Sequence, residues 1–356
     1  MKKILCSILA LALVSCTFCG CKKSTEDVQS SGTSIVADKD VTPNDSSEFV
    51  YEEKDGGIII KGYKGNSVTV NIPPEINGKP VTAIGEYAFD GFEENDGSVQ
   101  NGKSYKDNNI NTITSIHIPG SVKTIEKGAF TNCFSLTELT FAEGVETLEE
   151  GAFACCDKVT SVSLPSTVTK IGSYAFYECY SIRELSLGKN VQSIGEYAFY
   201  NCRDLRTVVL PDSVTELGTG TFAMCSTLCE LTLSKSLTVI PDYCFSDTLI
   251  KKADLPKGIT ELGAYAFARS SALTEVSFPD SLVKIGERAF FMCPEYTEAS
   301  VPASVTEIGE KAFGYNVDAS KAVSDPEEFL KEDFIIKAKK DSAAEKYAKE
   351  NGIKTK

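Results

Sequence analysis

The sequence predicts a repeat solenoid of about ten stacked coils, mainly β-structure with short helical or 3-10 turns and a helical cap at the C-terminal end. Three observations predict it: a phenylalanine that recurs every 23 residues, a Leu-x-x-Leu-x-Leu segment in most units, and a proline that often follows this segment. Periods of this length are typical of solenoids, in which no coil encloses its own apolar face and stability comes from stacking on neighbouring coils.

The repeating phenylalanines set the period. They are Phe89, Phe130, Phe153, Phe176, Phe199, Phe222, Phe245, Phe267, Phe290 and Phe313. Seven intervals are 23 residues, one is 22, and the first is 41. We expect the surplus in the first interval to form a polar loop insertion at residues 93–110, and the ten rings to form a buried structural spine.

The residues between phenylalanines indicate the path of one coil. The segment Leu136 to Phe141 alternates at its end like a strand with one buried face, so strands of successive coils should stack. The proline that often follows lacks an N–H, which ends the ladder and lets the chain turn. A Val-x-x-Ile-Gly segment comes next, as at Val168 to Gly172, and we expect its glycine to supply an unusual backbone angle.

The first residues are typical of an export signal. Lys2 and Lys3 precede an apolar stretch that is about half the ~20 residues a bilayer-spanning helix needs. We therefore predict a lipoprotein-type signal peptide at residues 1–15. Leu-Val-Ser-Cys, ending at Cys16, resembles the bacterial lipobox, which implies lipid on the sulfur of Cys16. The alternative is a leader of residues 1–20 and lipid on Cys21.

The segment after the leader, residues 16–48, is rich in Ser, Thr, Asp and Lys and has few large apolar residues, so we expect a flexible tether. The solenoid is expected over residues 49–352, with an N-terminal cap at 49–80 and a C-terminal cap at 314–352. The formal net charge of −14 disfavours nucleic acid and anionic membrane surfaces as partners. Membrane contact is expected through the N-terminal lipid alone.

A column of cysteines lies three residues after the spine. Its members are Cys133, Cys156, Cys179, Cys202, Cys225 and Cys293. Parallel side chains in a ladder do not converge, which disfavours disulfides, and one cysteine per coil without histidine disfavours zinc. Thr248 and Ser270 stand at the same place and keep the size of the side chain. We expect a structural ladder of buried thiols, with no metal or other cofactor.

The single histidine limits the catalytic chemistry open to this chain. His117 lies between Ile116 and Ile118 in a predicted strand, and we expect its side chain to point into solvent. No nucleophile, phosphate-loop or metalloprotease motif accompanies it, and the acidic pair Glu149 and Glu150 recurs in no other coil. The sequence therefore predicts no catalytic residue and no enzyme.

The outward positions of the strands form a candidate binding face, with a largely acidic row beside a row of small hydroxyls. Its residues are Glu138, Thr140, Ser163, Glu184, Ser186, Thr207, Glu230, Thr232, Glu275, Ser277, Glu298 and Ser300. Exposed strands also favour these residue types for solubility alone, so a purely structural reason for both rows stays open. A tyrosine column two residues before the spine, including Tyr174 and Tyr197, suits either an interface or packing between coils.

The repeat unit resembles the BspA-type leucine-rich repeat of bacterial surface proteins, with its pattern x-I-G-x-x-A-F-x-x-C-x-x-L-x-x-L-x-L-P. The resemblance covers roughly residues 50–352, from a first coil at Gly56 to Phe89 to a closing helix at Asp341 to Gly352. It implies a leucine-rich-repeat solenoid that binds an extracellular host or microbial protein or glycan, as in adhesion. The alternative is a passive structural or carrier component of the cell envelope. We expect a monomeric solenoid.

Overall fold

The computed structural model describes residues 35–91, 109–317 and 328–356. In these ranges the chain winds into a β-solenoid of about twelve turns, mostly strands with a few 3-10 turns, and one α-helix lies near the C-terminal end. The predicted solenoid is confirmed. The leader with Cys16 and Cys21, the first part of the tether, and most of the loop insertion lie outside the described residues.

One long side of the solenoid is a parallel stack of the Leu-x-Leu strands, which we call the Leu ladder. Its strands are β3 (Thr69–Asn71), β6 (Ser115–Ile118), β8 (Glu138–Phe141), β10 (Ser161–Ser163), β12 (Glu184–Ser186), β14 (Thr207–Val209), β16 (Glu230–Thr232), β18 (Lys252–Asp254), β20 (Glu275–Ser277), β22 (Glu298–Ser300), β26 (Ile335–Lys337) and β27 (Lys354–Thr355). Each strand lies against the next in parallel register, hydrogen-bonded in groups of two or three strands.

A second side, the Ile ladder, stacks the strands that in most units precede a glycine. It consists of β2 (Gly57–Tyr63), β5 (Lys79–Ile84), β7 (Thr124–Ile125), β9 (Thr147–Leu148), β11 (Lys170–Ile171), β13 (Ser193–Ile194), β15 (Glu216–Leu217), β17 (Val239–Ile240), β19 (Glu261–Leu262), β21 (Lys284–Ile285) and β23 (Glu307–Ile308). The antiparallel strands β1 (Phe49–Lys54) and β4 (Glu75–Ile76) pair with β2 and β5 at the N-terminal end. The third side of each coil is a run of turns around the spine phenylalanine.

The phenylalanine spine runs through the interior. All ten rings are at most 1 % exposed, and the centroids of neighbouring rings are 4.8–5.8 Å apart. Tyr63 continues the stack at the N-terminal end, 6.2 Å from Phe89, and Phe334 continues it at the other end, 6.1 Å from Phe313. The structure has more turns than the ten phenylalanine-bearing units because both caps also wind as turns, using other aromatic residues as their core.

The C-terminal end is closed by the helix α1 (Ala343–Glu350). Ser342 caps it by accepting from the Glu345 N–H, and the Glu345 carboxylate accepts from the Asp341 N–H, a reciprocal arrangement that favours a helix start. Tyr347 on its buried face packs edge-on against Phe313, and its hydroxyl accepts from the Phe313 N–H. The antiparallel strands β24 (Tyr315–Val317) and β25 (Glu328–Leu330) complete this end. The apolar interior is thereby covered at its last coil.

Two places in each coil adopt left-handed backbone, but the glycine after the Ile ladder strand is not one of them. A Cβ on Gly172 would lie 2.6 Å from the carbonyl carbon of Glu149, so this glycine is required for close approach between coils. The positive φ values fall two residues before and two after the spine, as at Tyr174 (59°) and Glu178 (57°). The expectation that glycine supplies the unusual angle is therefore wrong.

The structure also corrects the tether. Residues 35–48, which we call the arm, lie against β3, β6 and β8 and contain two short 3-10 helices, Asp38–Asp40 and Ser46–Glu48. The polar residues that led us to expect flexibility carry the carboxylate and amide groups that hydrogen-bond to the strand ends. The flexible tether predicted for 16–48 is wrong for this part.

Candidate binding face

The Leu ladder presents the predicted rows on its outer side. Along β12, β16 and β20 the residues alternate between outward polar side chains and an inward apolar one, and all of the outward ones are exposed. The pairing register places Ser161 beside Glu184 and Ser163 beside Ser186, so the rows are continuous from coil to coil. Near the N-terminal end Thr140 and Ser163 are half-buried, as is Glu298 near the other end. The rows therefore form one polar surface that is most open in its middle.

The acidic row is only partly neutralised. Lys252, which occupies the row in the 22-residue coil, pairs with Glu275 at 2.5 Å, and Lys337 pairs with Glu298. Glu230 accepts from the Thr207 hydroxyl at 3.4 Å and carries no ion pair within the described ranges. Among the described residues Glu138 and Glu184 likewise carry no ion pair, so the row keeps unpaired carboxylates.

Several residues of this face escape sequence reasoning. Asp254 lies in the hydroxyl row and accepts from Ser277 at 2.7 Å, but the 22-residue interval displaces it by one place from the count. Val209, which its spacing of ten residues from the spine does place in this row, is 57 % exposed. Lys337 extends the row beyond Ser300, because β26 of the C-terminal cap joins the ladder without carrying the repeat pattern. Counting with the 22-residue interval would have placed Asp254 in the hydroxyl row. No periodic signal in the sequence marks Lys337 as part of it.

The arm covers the C-terminal ends of the first three strands of this face. Asn44 bonds both main-chain groups of Asn71: its N–H donates to the carbonyl at 2.9 Å and its Oδ1 accepts from the N–H at 2.8 Å. The Asp38 carboxylate accepts from the Gly120 N–H at 3.0 Å, and the Val36 N–H donates to the Phe141 carbonyl at 3.1 Å. Successive coils are thus contacted by successive parts of the arm, which runs along the solenoid rather than along a strand.

His117 is the residue most affected by the arm. It lies in the hydroxyl row of β6, between two fully buried isoleucines, but it is only 4 % exposed. Its ring nitrogens lie 3.0 Å from the Thr140 hydroxyl and 3.3 Å from the Asp38 carboxylate. The expectation of a solvent-facing histidine is therefore wrong, because a segment from 79 residues earlier in the chain closes over it.

The tyrosine column serves packing between coils. Tyr174 stacks on Tyr197 with centroids 5.6 Å apart, and Tyr243 stacks on Tyr265 at 4.8 Å. Where the next coil has Gly220 in this place, a Cβ there would lie 2.4 Å from the Tyr197 ring, so the ring covers the glycine. Ring faces are therefore occupied by neighbouring coils, while Tyr174 and Tyr243 still expose more than a third of their surface.

The cysteine column makes a specific bond in addition to packing. Each of the six thiols donates to the main-chain carbonyl of the spine phenylalanine one coil earlier, at 3.1–3.4 Å. Burial raises the pKa of Cys225 and Cys293 to about 12, so these thiols stay protonated donors at neutral pH. Ser270 makes the same bond to Phe245 at 3.1 Å, which explains why a hydroxyl can replace the thiol there.

Within the described residues the structure shows no group of three or more His, Cys, Asp or Glu side chains placed to hold a metal ion. The nine cysteines in these ranges are free thiols. No helix in the described part of the chain is long and apolar enough to cross a bilayer. What the arrangement offers chemically is a long polar surface with hydrogen-bonding and acidic groups.

The coil geometry agrees with a known sequence family. A family model described as a BspA type leucine rich repeat region, with six copies, matches residues 102–229 and 193–319. The chain belongs to this family. The leucine-rich repeats therefore cover the region from the loop insertion to the C-terminal cap, and the arm precedes the matched residues.

Several solved leucine-rich-repeat structures are similar to this chain. A cell surface protein from Faecalibacterium prausnitzii is 20 % identical, with 84 % of this chain and 89 % of that chain covered and a TM-score of 0.44. A repeat protein from Bacteroides ovatus is 24 % identical, with 77 % and 85 % covered and a TM-score of 0.46. The pneumococcal vaccine antigen PcpA is 17 % identical, with 91 % and 98 % covered and a TM-score of 0.47. No match was found among curated proteins.

Proposed function

We propose that this leucine-rich-repeat chain is a surface protein that binds an extracellular protein or glycan through the outer side of the Leu ladder, as an adhesin does. The observation that supports this most directly is the run of exposed side chains from β12 to β20, repeated in register and uncovered by the arm. Glu184, Glu230 and Glu275 are exposed to a partner, and many weak contacts in a row can sum to specific binding.

A lipid anchor is part of the proposal. The sequence around Cys16, which resembles a lipobox, supports it. Replacing Cys16 by Ala should release the protein from the membrane fraction, whereas Cys21→Ala should not. Retention of Cys16→Ala together with release of Cys21→Ala would move the anchor to the alternative residue.

The binding face is tested by reversing its charge. The mature chain is screened against arrays of matrix proteins and glycans, and the ligands captured are then measured with the triple variant Glu184→Lys, Glu230→Lys and Glu275→Lys. We expect at least tenfold weaker binding, because the substitutions lie in one exposed row. The matched control is Glu216→Lys, Glu261→Lys and Glu307→Lys, which makes the same charge change on the Ile ladder. If both triple variants lose binding equally, or if neither loses binding, this choice of face is refuted.

A further inference from the structure

The turn after most strands of the Leu ladder leaves a main-chain carbonyl without a donor from the next coil. In the second coil Ala142 follows the strand, and its N–H donates to the carbonyl of Ile118 in the coil before it at 2.9 Å. Most later coils have proline in this place, and proline has no N–H to donate. These prolines are Pro165, Pro211, Pro256, Pro279 and Pro302, and the carbonyls they leave are those of Phe141, Leu187, Leu233, Leu255 and Phe278.

The arm fills the first of these vacancies. The Val36 N–H donates to the Phe141 carbonyl at 3.1 Å, in place of the ladder bond that Pro165 cannot make. Beyond it, in the described part of the chain, six successive carbonyls at this place accept no hydrogen bond. Four of them face a proline in the next coil, and the other two face Gly188 and Ser234, whose N–H groups do not bond to them. We call them the carbonyl track; they are Leu164, Leu187, Leu210, Leu233, Leu255 and Phe278.

Two of the apolar side chains along the same edge are also more exposed beyond the arm. Where the arm lies, Ile118 and Phe141 are 0 % and 1 % exposed. Along the track Leu187 and Phe278 are partly exposed at the equivalent place, whereas Leu164, Leu210, Leu233 and Leu255 are buried. The edge therefore offers acceptors along its length and apolar contact at these two places, and it lies about three residues, roughly 10 Å along a strand, from the acidic row.

We propose that the carbonyl track binds an extended polypeptide segment of the partner. Its backbone N–H groups would donate to track carbonyls as Val36 donates to Phe141, and its lysine or arginine side chains would meet the acidic row. This rests on the proposed function and names the class of partner. An extended chain advances about 6.6 Å in two residues and a coil about 4.8 Å, so the segment crosses obliquely. The arm does so too, because Val36 and Asp38 contact successive coils.

The first test removes the donors of a probe peptide. The probe is a fluorescent ten-residue peptide of alternating valine and lysine, with two counterparts that are N-methylated at alternate residues, one in each phase. N-methylation removes N–H groups and leaves the charge unchanged. We expect the phase that methylates the track-facing amides to bind the mature chain at least tenfold more weakly than the other. Equal affinity of all three peptides would overturn the proposal, because charge alone would then explain the binding.

The second test closes the track from the protein side. The triple variant Pro211→Ala, Pro256→Ala and Pro279→Ala returns an N–H to the carbonyls of Leu187, Leu233 and Leu255. We expect at least fivefold weaker binding of the unmethylated peptide. Pro241→Ala, which follows β17 on the Ile ladder, is the matched control and should bind like the wild type. Wild-type affinity in a folded triple variant would contradict the proposal; should the variant not fold, the methylated peptides decide.

The proposed binding face and the extended-segment inference can be refuted independently of each other. If a captured partner loses binding in the Glu184, Glu230 and Glu275 charge variant but is unaffected by the three proline substitutions, the face is correct and the extended-segment inference is wrong. The same conclusion follows if the partner on that face is a glycan. If neither set of substitutions weakens the partner, the proposed face fails as well.

Discussion

The first three strands of the Leu ladder and the strands from β10 onward have the same backbone and the same interior, yet they differ at their outer edge. At β3, β6 and β8 the arm supplies donors and acceptors to the strand ends and covers His117. From β10 onward the equivalent carbonyls have no partner in the described residues, and polar rows stand open. The repeat therefore determines the interior, while a segment outside the repeat determines which part of the surface is available.

The largest expected effect tests whether the two regions share one interior. Phe130→Ala in the covered region and Phe222→Ala in the open region should each lower the free energy of unfolding by about 3–5 kcal/mol, because each leaves a cavity in the same stacked spine. Urea unfolding of both variants measures this. A much larger loss for Phe130→Ala would show that the arm also supports the interior, which the contacts do not indicate.

A smaller effect of the same kind is expected in the cysteine column. Cys133→Ala and Cys225→Ala each remove a buried donor to a spine carbonyl, and we expect a loss of about 1–2 kcal/mol in the free energy of unfolding. Serine keeps a donor, as Ser270 does, so Cys225→Ser should lose less than Cys225→Ala. Thermal unfolding of the three variants is the measurement, and a serine variant less stable than the alanine variant would contradict the role of the bond.

The next prediction separates the two regions. Asn44→Ala removes a side-chain acceptor from the Asn71 N–H, worth about 0.5–1.5 kcal/mol, and should loosen the arm without affecting the later coils. Hydrogen exchange should become faster at the amides of Val36 and Asn71. The amides of Leu164 and Leu210, which donate to the next coil, should keep their wild-type rates. A uniform increase along the chain would mean that the arm and the later coils open together.

The smallest expected effect comes from Pro165→Ala. The substitution returns an N–H that competes with Val36 for the Phe141 carbonyl, so the Val36 amide should exchange a few-fold faster. The stability of the remaining coils should hardly change, because the new ladder bond replaces the lost one. Unchanged protection of Val36 would show that the carbonyl at this place is not what holds the arm.

The interior was predictable from sequence because its signals are periodic. Ten phenylalanines at nearly constant spacing fix which side chains stack, and the alternation in Leu136 to Phe141 fixes which side of a strand is buried. The arm was not predictable, because its contacts join residues such as Asp38 and His117 that are 79 positions apart, and its composition is that of a disordered segment. In the caps, Tyr63 and Phe334 extend the spine, but they do not lie at the 23-residue spacing. The repeat pattern therefore could not predict them.

The single histidine provides the most direct measurement of the central claim, that the arm closes one end of the binding face and leaves the rest open. Diethyl pyrocarbonate modifies accessible imidazole, and His117 is the one histidine of the chain. We expect the wild-type protein to react at least tenfold more slowly than free N-acetylhistidine, and the double variant Asp38→Ala and Asn44→Ala to react several-fold faster than wild type. A wild-type His117 that reacts at the rate of the free imidazole would show that the arm does not cover the face.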